Sequence, residues 1–310
     1  MERVRLAILC SGQGAQHHGM FDLARTDSAA ARMLETWQVP ASFAPADDLF
    51  ANRAAQPLLV KCACATWEAV RHHLPPPVAV AGYSVGEVTA LAVAGVIDAA
   101  QAVALAQTRA ALMDDCVDPT QPQGLLAIGG LALQATEQLL VDMGATGIGI
   151  AIVNGADQCI VGGLWQDGNS GPGLNALAAR LDGIGIQVNR LSVTIASHTA
   201  WMRKAVAPLH DVVARFAPHA PQTRLLAGIS GAASSEGAVA LAALVGQTDQ
   251  TVRWDACMDS LAEAGVTKAL ELGPGSALSR MLAVRHPQIA CRSVSDFRSV
   301  AGIAAWAGRQ

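Results

Sequence analysis

The most constraining feature of the chain is a five-residue segment at 82–86, Gly-Tyr-Ser-Val-Gly, which fits the pattern Gly-x-Ser-x-Gly. Residues 77–81 before it are short, apolar and partly β-branched, and they predict a buried strand. Residues 87–96 after it predict a helix. In this context the pattern indicates a sharp turn that presents the Ser84 hydroxyl at the positive end of a helix dipole. An ordinary strand-to-helix turn is the alternative, because such five-residue matches are common by chance.

A serine on such a turn is suited to nucleophilic catalysis. The flanking glycines allow two backbone segments to pass closely without a Cβ clash. The backbone N–H of Val85 would then point to the place where a tetrahedral oxyanion forms. Gln13 lies in a glycine-rich loop after the first predicted strand, and such a loop can direct a second N–H at the same oxyanion. A simple tight turn is the alternative for this loop.

A serine hydroxyl is a weak nucleophile unless a base takes its proton, and His198 is the best candidate among the eight histidines. It follows a predicted strand and opens a helix, which places it at a strand's carboxyl end, where α/β sites gather. A surface histidine is the alternative.

Arg109, on the second helix after the serine, is either a surface residue or a buried cation whose forked guanidinium suits a carboxylate.

The bulk composition excludes several classes of protein. Apolar residues make up 52% of the 310 positions and charged residues 15%, which is typical of a well-packed soluble enzyme. The net charge of −4 carries no polyanion-binding signature, so we expect no nucleic-acid partner. The apolar runs are far shorter than the roughly 18 residues that span a bilayer, and residues 1–5 lead into a predicted strand without a signal-peptide core. We expect a cytoplasmic protein with no membrane association.

The cysteines and the known metal motifs give no indication of a metal site. The seven cysteines are scattered, and neither HExxH nor CxxC occurs. We interpret the cysteines as reduced core residues.

Short apolar strands alternate with amphipathic helices along most of the chain, which predicts an α/β fold with a mostly parallel sheet. Predicted helices include 58–74 and 99–116, and predicted strands include 224–229. Between residues 124 and 193 the order becomes strand, helix, strand, strand, helix, strand, with the last strand at 187–193; this is the ferredoxin-like order. We therefore predict a large α/β-hydrolase-like domain over 1–123 and 194–310, with a small ferredoxin-like domain inserted over 124–193.

Six blocks spread over nearly the whole chain carry a family resemblance. They are residues 11–16 with Gly19 and Met20, residues 82–87, Arg109 with Met113, Ser197-His198 with Met202, Gln247 seven positions before Trp254, and residues 271–275. In this order they resemble the conserved motifs of malonyl-CoA:acyl carrier protein transacylases, including the Gly-Gln-Gly opening and the Gly-His-Ser-x-Gly-Glu turn. Departures from the pattern suggest a divergent branch, and the malonate decarboxylase epsilon subunit is the branch we suspect.

The resemblance implies a ping-pong mechanism with an acyl-serine intermediate. Ser84 would attack malonyl-CoA with His198 as base, while the N–H groups of Gln13 and Val85 stabilise the oxyanion. Two further residues have implied roles: Gln247, with backbone carbonyls, orients the histidine, and Arg109 pairs with the malonyl carboxylate. The recipient would be the phosphopantetheine-type thiol of an acyl carrier protein, or of the malonate decarboxylase carrier subunit. Malonyl-CoA is then a substrate, and we expect no permanently bound cofactor.

Two alternative functions and one departure stay open at this point. A serine hydrolase acting on small acyl esters or thioesters would share the serine and the base. A catalytically inactive protein that docks acyl carriers would share the fold, although the intact set of candidate residues argues against it. Tyr83 stands where the family has histidine, which leaves the acyl-group preference open.

Overall fold

The computed structural model describes residues 4–44 and 47–309. The predicted lead from residues 1–5 into the first strand therefore falls partly outside the described residues, as do positions 45, 46 and 310. None of the described helices is both long and apolar enough to cross a membrane.

The described chain forms eleven strands and twelve α-helices, with short 3-10 turns at Arg71–His73, Ala200–Met202 and Val294–Asp296. The strands are β1 Leu6–Cys10, β2 Ala79–Gly82, β3 Gln123–Gly129, β4 Gly149–Gly155, β5 Gln158–Leu164, β6 Val188–Arg190, β7 Arg224–Leu226, β8 Ala233–Ser234, β9 Val252–Arg253, β10 Lys268–Leu272 and β11 Ala290–Ser293. The helices are α1 Asp22–Arg25, α2 Ser28–Thr36, α3 Asn52–Val70, α4 Gly86–Val93, α5 Ala99–Asp114, α6 Leu133–Asp142, α7 Leu174–Asp182, α8 Arg203–Val213, α9 Gly237–Gly246, α10 Trp254–Glu263, α11 Ala277–Arg285 and α12 Val300–Gly308.

The larger sheet has the strand order β11-β10-β1-β2-β7-β8 and is parallel except at its last pair. Every residue of β1 and β2 is buried, as expected of central strands covered on both faces. Alternate residues of β1 enter different cores, with Leu6 and Ile8 on one side and Ala7 and Leu9 on the other. Because β1 and β2 are parallel neighbours, the loops that follow them lie together at one edge of the sheet.

The smaller sheet has the order β6-β3-β5-β4-β9. Strands β3 to β6, with α6 and α7, follow the predicted order of strand, helix, strand, strand, helix, strand. The pairings among these four strands are antiparallel, and their helix side has a separate core that contains Leu126, Leu174 and Leu177. The sequence did not predict β9, which comes from a much later part of the chain and pairs with β4 in parallel.

Several predicted boundaries are wrong for identifiable reasons. The predicted strand 224–229 ends at Leu226, because the carbonyl of Ala227 accepts turn hydrogen bonds from Ser230 and Gly231. The predicted strand 187–193 shrinks to β6, where the chain leaves the sheet toward His198. The predicted helix 58–74 begins six residues earlier, at Asn52, because the polar residues of its first turns are buried and hydrogen-bonded.

Candidate active site

Ser84 lies on a sharp turn between β2 and α4, as the sequence predicts. Its φ of +54° is in the left-handed region that residues with a Cβ rarely adopt. The flanking glycines make the turn possible, because a Cβ on Gly86 would overlap the carbonyl of Cys10 at the end of β1. A Cβ on Gly82 would overlap the backbone of Glu87. The turn therefore requires glycine at both positions.

The structure brings His198 directly to the serine. Ser84 Oγ lies 2.7 Å from His198 Nε2, and His198 Nδ1 lies 2.6 Å from the backbone oxygen of Gln247. A carbonyl oxygen only accepts hydrogen bonds, so Nδ1 carries the proton and Nε2 is the acceptor that faces the serine hydroxyl. His198 itself has a φ of +62°, and its backbone N–H donates to the carbonyl of Thr248 at 3.0 Å. The imidazole is thus held in the tautomer that a general base needs.

The imidazole of His198 is neutral at physiological pH. Its side chain is buried, and this burial, reinforced by the charge of Arg109, lowers the pKa of His198 to about 3. The hydrogen bond to the carbonyl of Gln247 raises the pKa of His198, but by less than burial lowers it. A neutral imidazole beside a hydroxyl is the arrangement that removes a proton from the attacking serine.

The loop after β1 packs against the serine turn. A Cβ on Gly12 would lie 2.8 Å from the carbonyl oxygen of Tyr83 and 3.6 Å from Ser84 Cβ, so the neighbouring Gln13 is close to the nucleophile. Within residues 4–44 and 47–309, the backbone N–H groups of Gln13 and Val85 have no acceptor. The side-chain nitrogen of Gln13 is also buried there without a partner. These donors therefore have no competing acceptor among the described residues, which is a requirement for an oxyanion site.

Arg109 is a buried cation rather than a surface residue, which settles the two alternatives left open by the sequence. Only 1% of Arg109 is exposed. Its Nη1 donates to Gln56 Oε1 at 2.6 Å and its Nη2 to Gln247 Oε1 at 3.2 Å, while its Nε has no partner among the described residues. Burial lowers the pKa of Arg109 to about 10, and the nearby Glu87 opposes this change. Arg109 is therefore charged at neutral pH, and its Nε–H is a buried donor without an acceptor among the described residues.

Gln247 contacts His198 through its backbone and not through its side chain. Its backbone oxygen lies 2.6 Å from His198 Nδ1, whereas its side chain lies between Arg109 and Glu87. The side-chain oxygen accepts from Arg109, and the side-chain nitrogen donates to Glu87 Oε2. Gln247 is thus in contact with both the base and the buried cation.

Tyr83 links the serine turn to the smaller sheet. Its hydroxyl donates to Asn154 Oδ1 on β4 at 3.1 Å. Its ring meets the ring of Trp254 edge to face, with a centroid separation of 5.4 Å and an interplanar angle of 81°. The residue that departs from the family pattern therefore holds the two sheets together beside the nucleophile.

Comparisons with known proteins identify the family of the chain. Residues 8–302 match the family described as acyl transferase domain. The chain belongs to this family. It is 32% identical over 320 residues to the malonyl CoA-acyl carrier protein transacylase of Mycobacterium bovis, which covers 96% of the chain and 100% of that relative.

Solved structures give the same result for the fold. The crystal structure of the Mycobacterium tuberculosis protein named MCAT has a TM-score of 0.83 at 30% identity, over 97% of this chain and 99% of that one. The malonyl CoA-acyl carrier protein transacylase of Coxiella burnetii has a TM-score of 0.87 at 23% identity, over 99% and 98% of the two chains. These likenesses confirm the predicted α/β class, in the form of an acyltransferase fold with mixed sheets.

In this acyltransferase the six candidate residues lie around a single site. Hydrogen bonds connect Ser84, His198, Gln247 and Arg109 in series, and the loop that carries Gln13 packs on the turn that carries Val85. The described residues contain no group of three or more histidine, cysteine or acidic side chains placed to hold a metal ion. A nucleophile, a neutral base, free backbone donors and a buried cation together suit acyl transfer from a substrate that carries a negative charge.

Sequence reasoning missed two buried residues of the acyltransferase site. Gln56 lies on α3 and positions Arg109, and Glu87 lies on α4 and holds the side chain of Gln247. Glu87 closes the motif block at 82–87, which was the available signal for it, whereas Gln56 is one of several polar residues in α3 and had no signal of its own. The sequence alone does not show which buried partners such residues reach.

Proposed function

We propose that this chain transfers a malonyl group from malonyl-CoA to the thiol of an acyl carrier protein, through an acyl group on Ser84. The observation that carries the proposal is the combination of the Ser84–His198 pair with a buried arginine that has a free N–H. The pair suits acyl transfer in general, and the arginine suits an acyl group with its own carboxylate. The curated relative from Mycobacterium bovis is named for this reaction.

The proposed reaction has two half-reactions with the same machinery. Ser84 Oγ attacks the thioester carbonyl carbon while His198 Nε2 takes the hydroxyl proton, and the N–H groups of Gln13 and Val85 stabilise the oxyanion. The carbon–sulfur bond then breaks, and His198 returns its proton to the leaving thiol of CoA. In the second half-reaction the carrier thiol gives its proton to His198 and attacks the acyl-serine. Ser84 leaves as the alkoxide and is reprotonated by His198.

Arg109 provides the selectivity in this proposal. The malonyl carboxylate would accept hydrogen bonds from the N–H groups that Gln56 and Gln247 leave free, including Nε. An acetyl group has no carboxylate, so the guanidinium would stay buried without an anion. Removing one partner from a buried ion pair costs roughly 3–5 kcal/mol, so malonyl groups should be strongly preferred.

We also propose a finer description of the fold. The order β6-β3-β5-β4 and the separate core on the helix side support a ferredoxin-like unit over 124–193. The larger sheet, with its serine turn after a central strand, supports an α/β-hydrolase-like unit over 1–123 and 194–310.

Transfer to defined carriers tests the proposed function. Enzyme loaded with malonyl-CoA is mixed with a phosphopantetheinylated acyl carrier protein and, separately, with a malonate decarboxylase carrier subunit. Mass spectrometry follows malonyl-carrier and free malonate. We expect malonyl-carrier to form much faster than malonate, and the preferred carrier identifies the pathway. Hydrolysis that outpaces transfer to both carriers would overturn the proposal in favour of a serine hydrolase.

A further inference from the structure

Glu87 is a buried carboxylate next to the active site that the proposed chemistry does not use. It lies three residues after Ser84, in the first turn of α4, and is only 2% exposed. Its Oε2 accepts from Gln247 Nε2 and, at 3.2 Å, from the backbone N–H of Gly228. Burial raises the pKa of Glu87 to about 7, although these two donors and the charge of Arg109 lower it. Such a costly group needs an explanation.

The contact with Glu87 determines which way the side-chain amide of Gln247 faces. The amide nitrogen points to Glu87 and the amide oxygen points to Arg109 Nη2. The two ends of an amide have nearly the same shape, so shape alone does not select this orientation. In the reversed orientation, the NH₂ group would face the N–H donors of Arg109 and the oxygen would face the carboxylate. Glu87 therefore selects the orientation that gives Arg109 an acceptor.

Gln247 also carries the carbonyl that orients His198. A shift of Gln247 would therefore change the positions of both His198 and Arg109. Glycine at position 228 leaves room for the contact between Glu87 and Gln247. A Cβ on Gly228 would overlap Glu87 Oε2 and lie 3.0 Å from Gln247 Nε2. The series from Glu87 through Gln247 thus ends at the base on one side and at the buried cation on the other.

We propose that Glu87 is a positioning residue that acts through Gln247 to hold Arg109 toward the acyl carboxylate and His198 toward Ser84. It does not touch the substrate. This inference rests on the proposed function, because its clearest consequence is the preference for malonyl over acetyl groups. A purely structural role would affect the stability of the protein and leave that preference unchanged.

Three variants of the full chain test this role. Glu87→Met keeps the length of the side chain but removes the acceptor, and Glu87→Gln keeps an oxygen of the same reach. Glu271→Met is the matched control, because Glu271 is an equally buried carboxylate that accepts from Leu278 and Ser279 at the start of α11 instead. For each variant, intact-protein mass measures the rate of acylation by malonyl-CoA and by acetyl-CoA, and thermal unfolding measures stability.

We expect Glu87→Met to lower the malonyl-to-acetyl rate ratio by about tenfold or more, the size expected for losing a hydrogen bond to a charged group. Glu87→Gln should restore most of the ratio. Glu271→Met should lower the melting temperature and keep the ratio. In an Arg109→Ala background, Glu87→Met should change the ratio no further, because its effect passes through Arg109.

An unchanged ratio in folded Glu87→Met, or an additive effect in the double variant, would overturn the inference. If Glu87→Met does not fold, Glu87→Asp carries the same prediction, since its shorter side chain withdraws the carboxylate from Gln247. Failure of the proposed function is distinguishable, because the unaltered enzyme would then show no malonyl preference.

Discussion

Ser84 Oγ and His198 Nε2 lie 2.7 Å apart, although 114 positions separate the two residues in the chain. The contact depends on how the chain returns from the smaller sheet. The N–H of Ala196 donates to Gln123 Oε1 at 3.1 Å, and Thr199 Oγ1 donates to the carbonyl of Ala196 at 2.6 Å. These bonds fix the segment just before and after His198, so the nucleophile and its base meet through long-range packing.

Arg109→Ala should lower the preference for malonyl over acetyl groups. Removing the guanidinium takes away the partner of the malonyl carboxylate, and we expect acylation by malonyl-CoA to fall by about 100-fold or more. Acylation by acetyl-CoA should fall much less, so its relative rate rises. Arg109→Lys is the control that keeps the charge without the forked guanidinium. Its malonyl-to-acetyl rate ratio should lie between those of the unaltered enzyme and Arg109→Ala. An unchanged malonyl preference in Arg109→Ala would remove Arg109 from the carboxylate site.

Gly86→Ala should disrupt the serine turn. The added Cβ would overlap the carbonyl of Cys10, which is backbone in a central strand and cannot move aside. We expect a loss of several kcal/mol in the free energy of unfolding, with no detectable acyl-enzyme. Gly129→Ala is the matched control, because nothing lies within 4 Å of its added Cβ. Denaturant unfolding of both variants checks the difference, and equal stabilities would contradict the steric argument.

Acylation of Ser84 should remain fast in mildly acidic solution. The pKa of His198 is about 3, so its imidazole stays neutral as the pH falls through the ordinary histidine range near 6.5. The rate constant for acylation by limiting malonyl-CoA reports the free enzyme, and we expect it to be nearly flat from about pH 8 to about pH 5. Rapid-quench mass spectrometry isolates this step from thiol ionisation in the carrier. Glu87 has a pKa of about 7, so the same profile is measured in Glu87→Gln, which has no titrating carboxyl at that position. A half-maximal rate near pH 6.5 that persists in this variant would show that His198 titrates normally.

Tyr83→Phe should loosen the connection between the sheets and keep the chemistry. The variant loses the hydrogen bond to Asn154 but retains the ring packing on Trp254. We expect the free energy of unfolding to fall by about 1 kcal/mol, while Ser84 is still acylated. Thermal unfolding together with the acylation assay measures both effects. Complete loss of acylation would give the Tyr83 hydroxyl a role in the reaction itself.

Much of the site could be predicted from the sequence because its signals are local. The serine turn depends on residues within five positions of one another, and the glycines at 82 and 86 are recognisable in the sequence as the residues that allow it. The alternation of strands and helices likewise predicts the larger sheet. The position of His198 after a predicted strand places it at the carboxyl end of a strand, as Ser84 is.

The remaining features depend on contacts that no local pattern encodes. Glu87 and Gln56 lie on helices that contain other polar residues, and the contacts that distinguish them form only where three helices and a loop meet. Gln247 contacts His198 through its backbone carbonyl and Arg109 through its side chain, and both contacts depend on the turn after α9. The short strand β9 pairs with β4 across a hundred positions, so its two residues carry no strand pattern of their own.

The central claim is that Ser84 carries a malonyl group during the reaction. Intact-protein mass after brief incubation with malonyl-CoA, with acetyl-CoA in parallel, tests it most directly. We expect a malonyl-sized increase in mass that is absent from Ser84→Ala, with little acetyl adduct. A malonyl adduct that persists in Ser84→Ala, or an enzyme that leaves malonyl-CoA untouched, would contradict it.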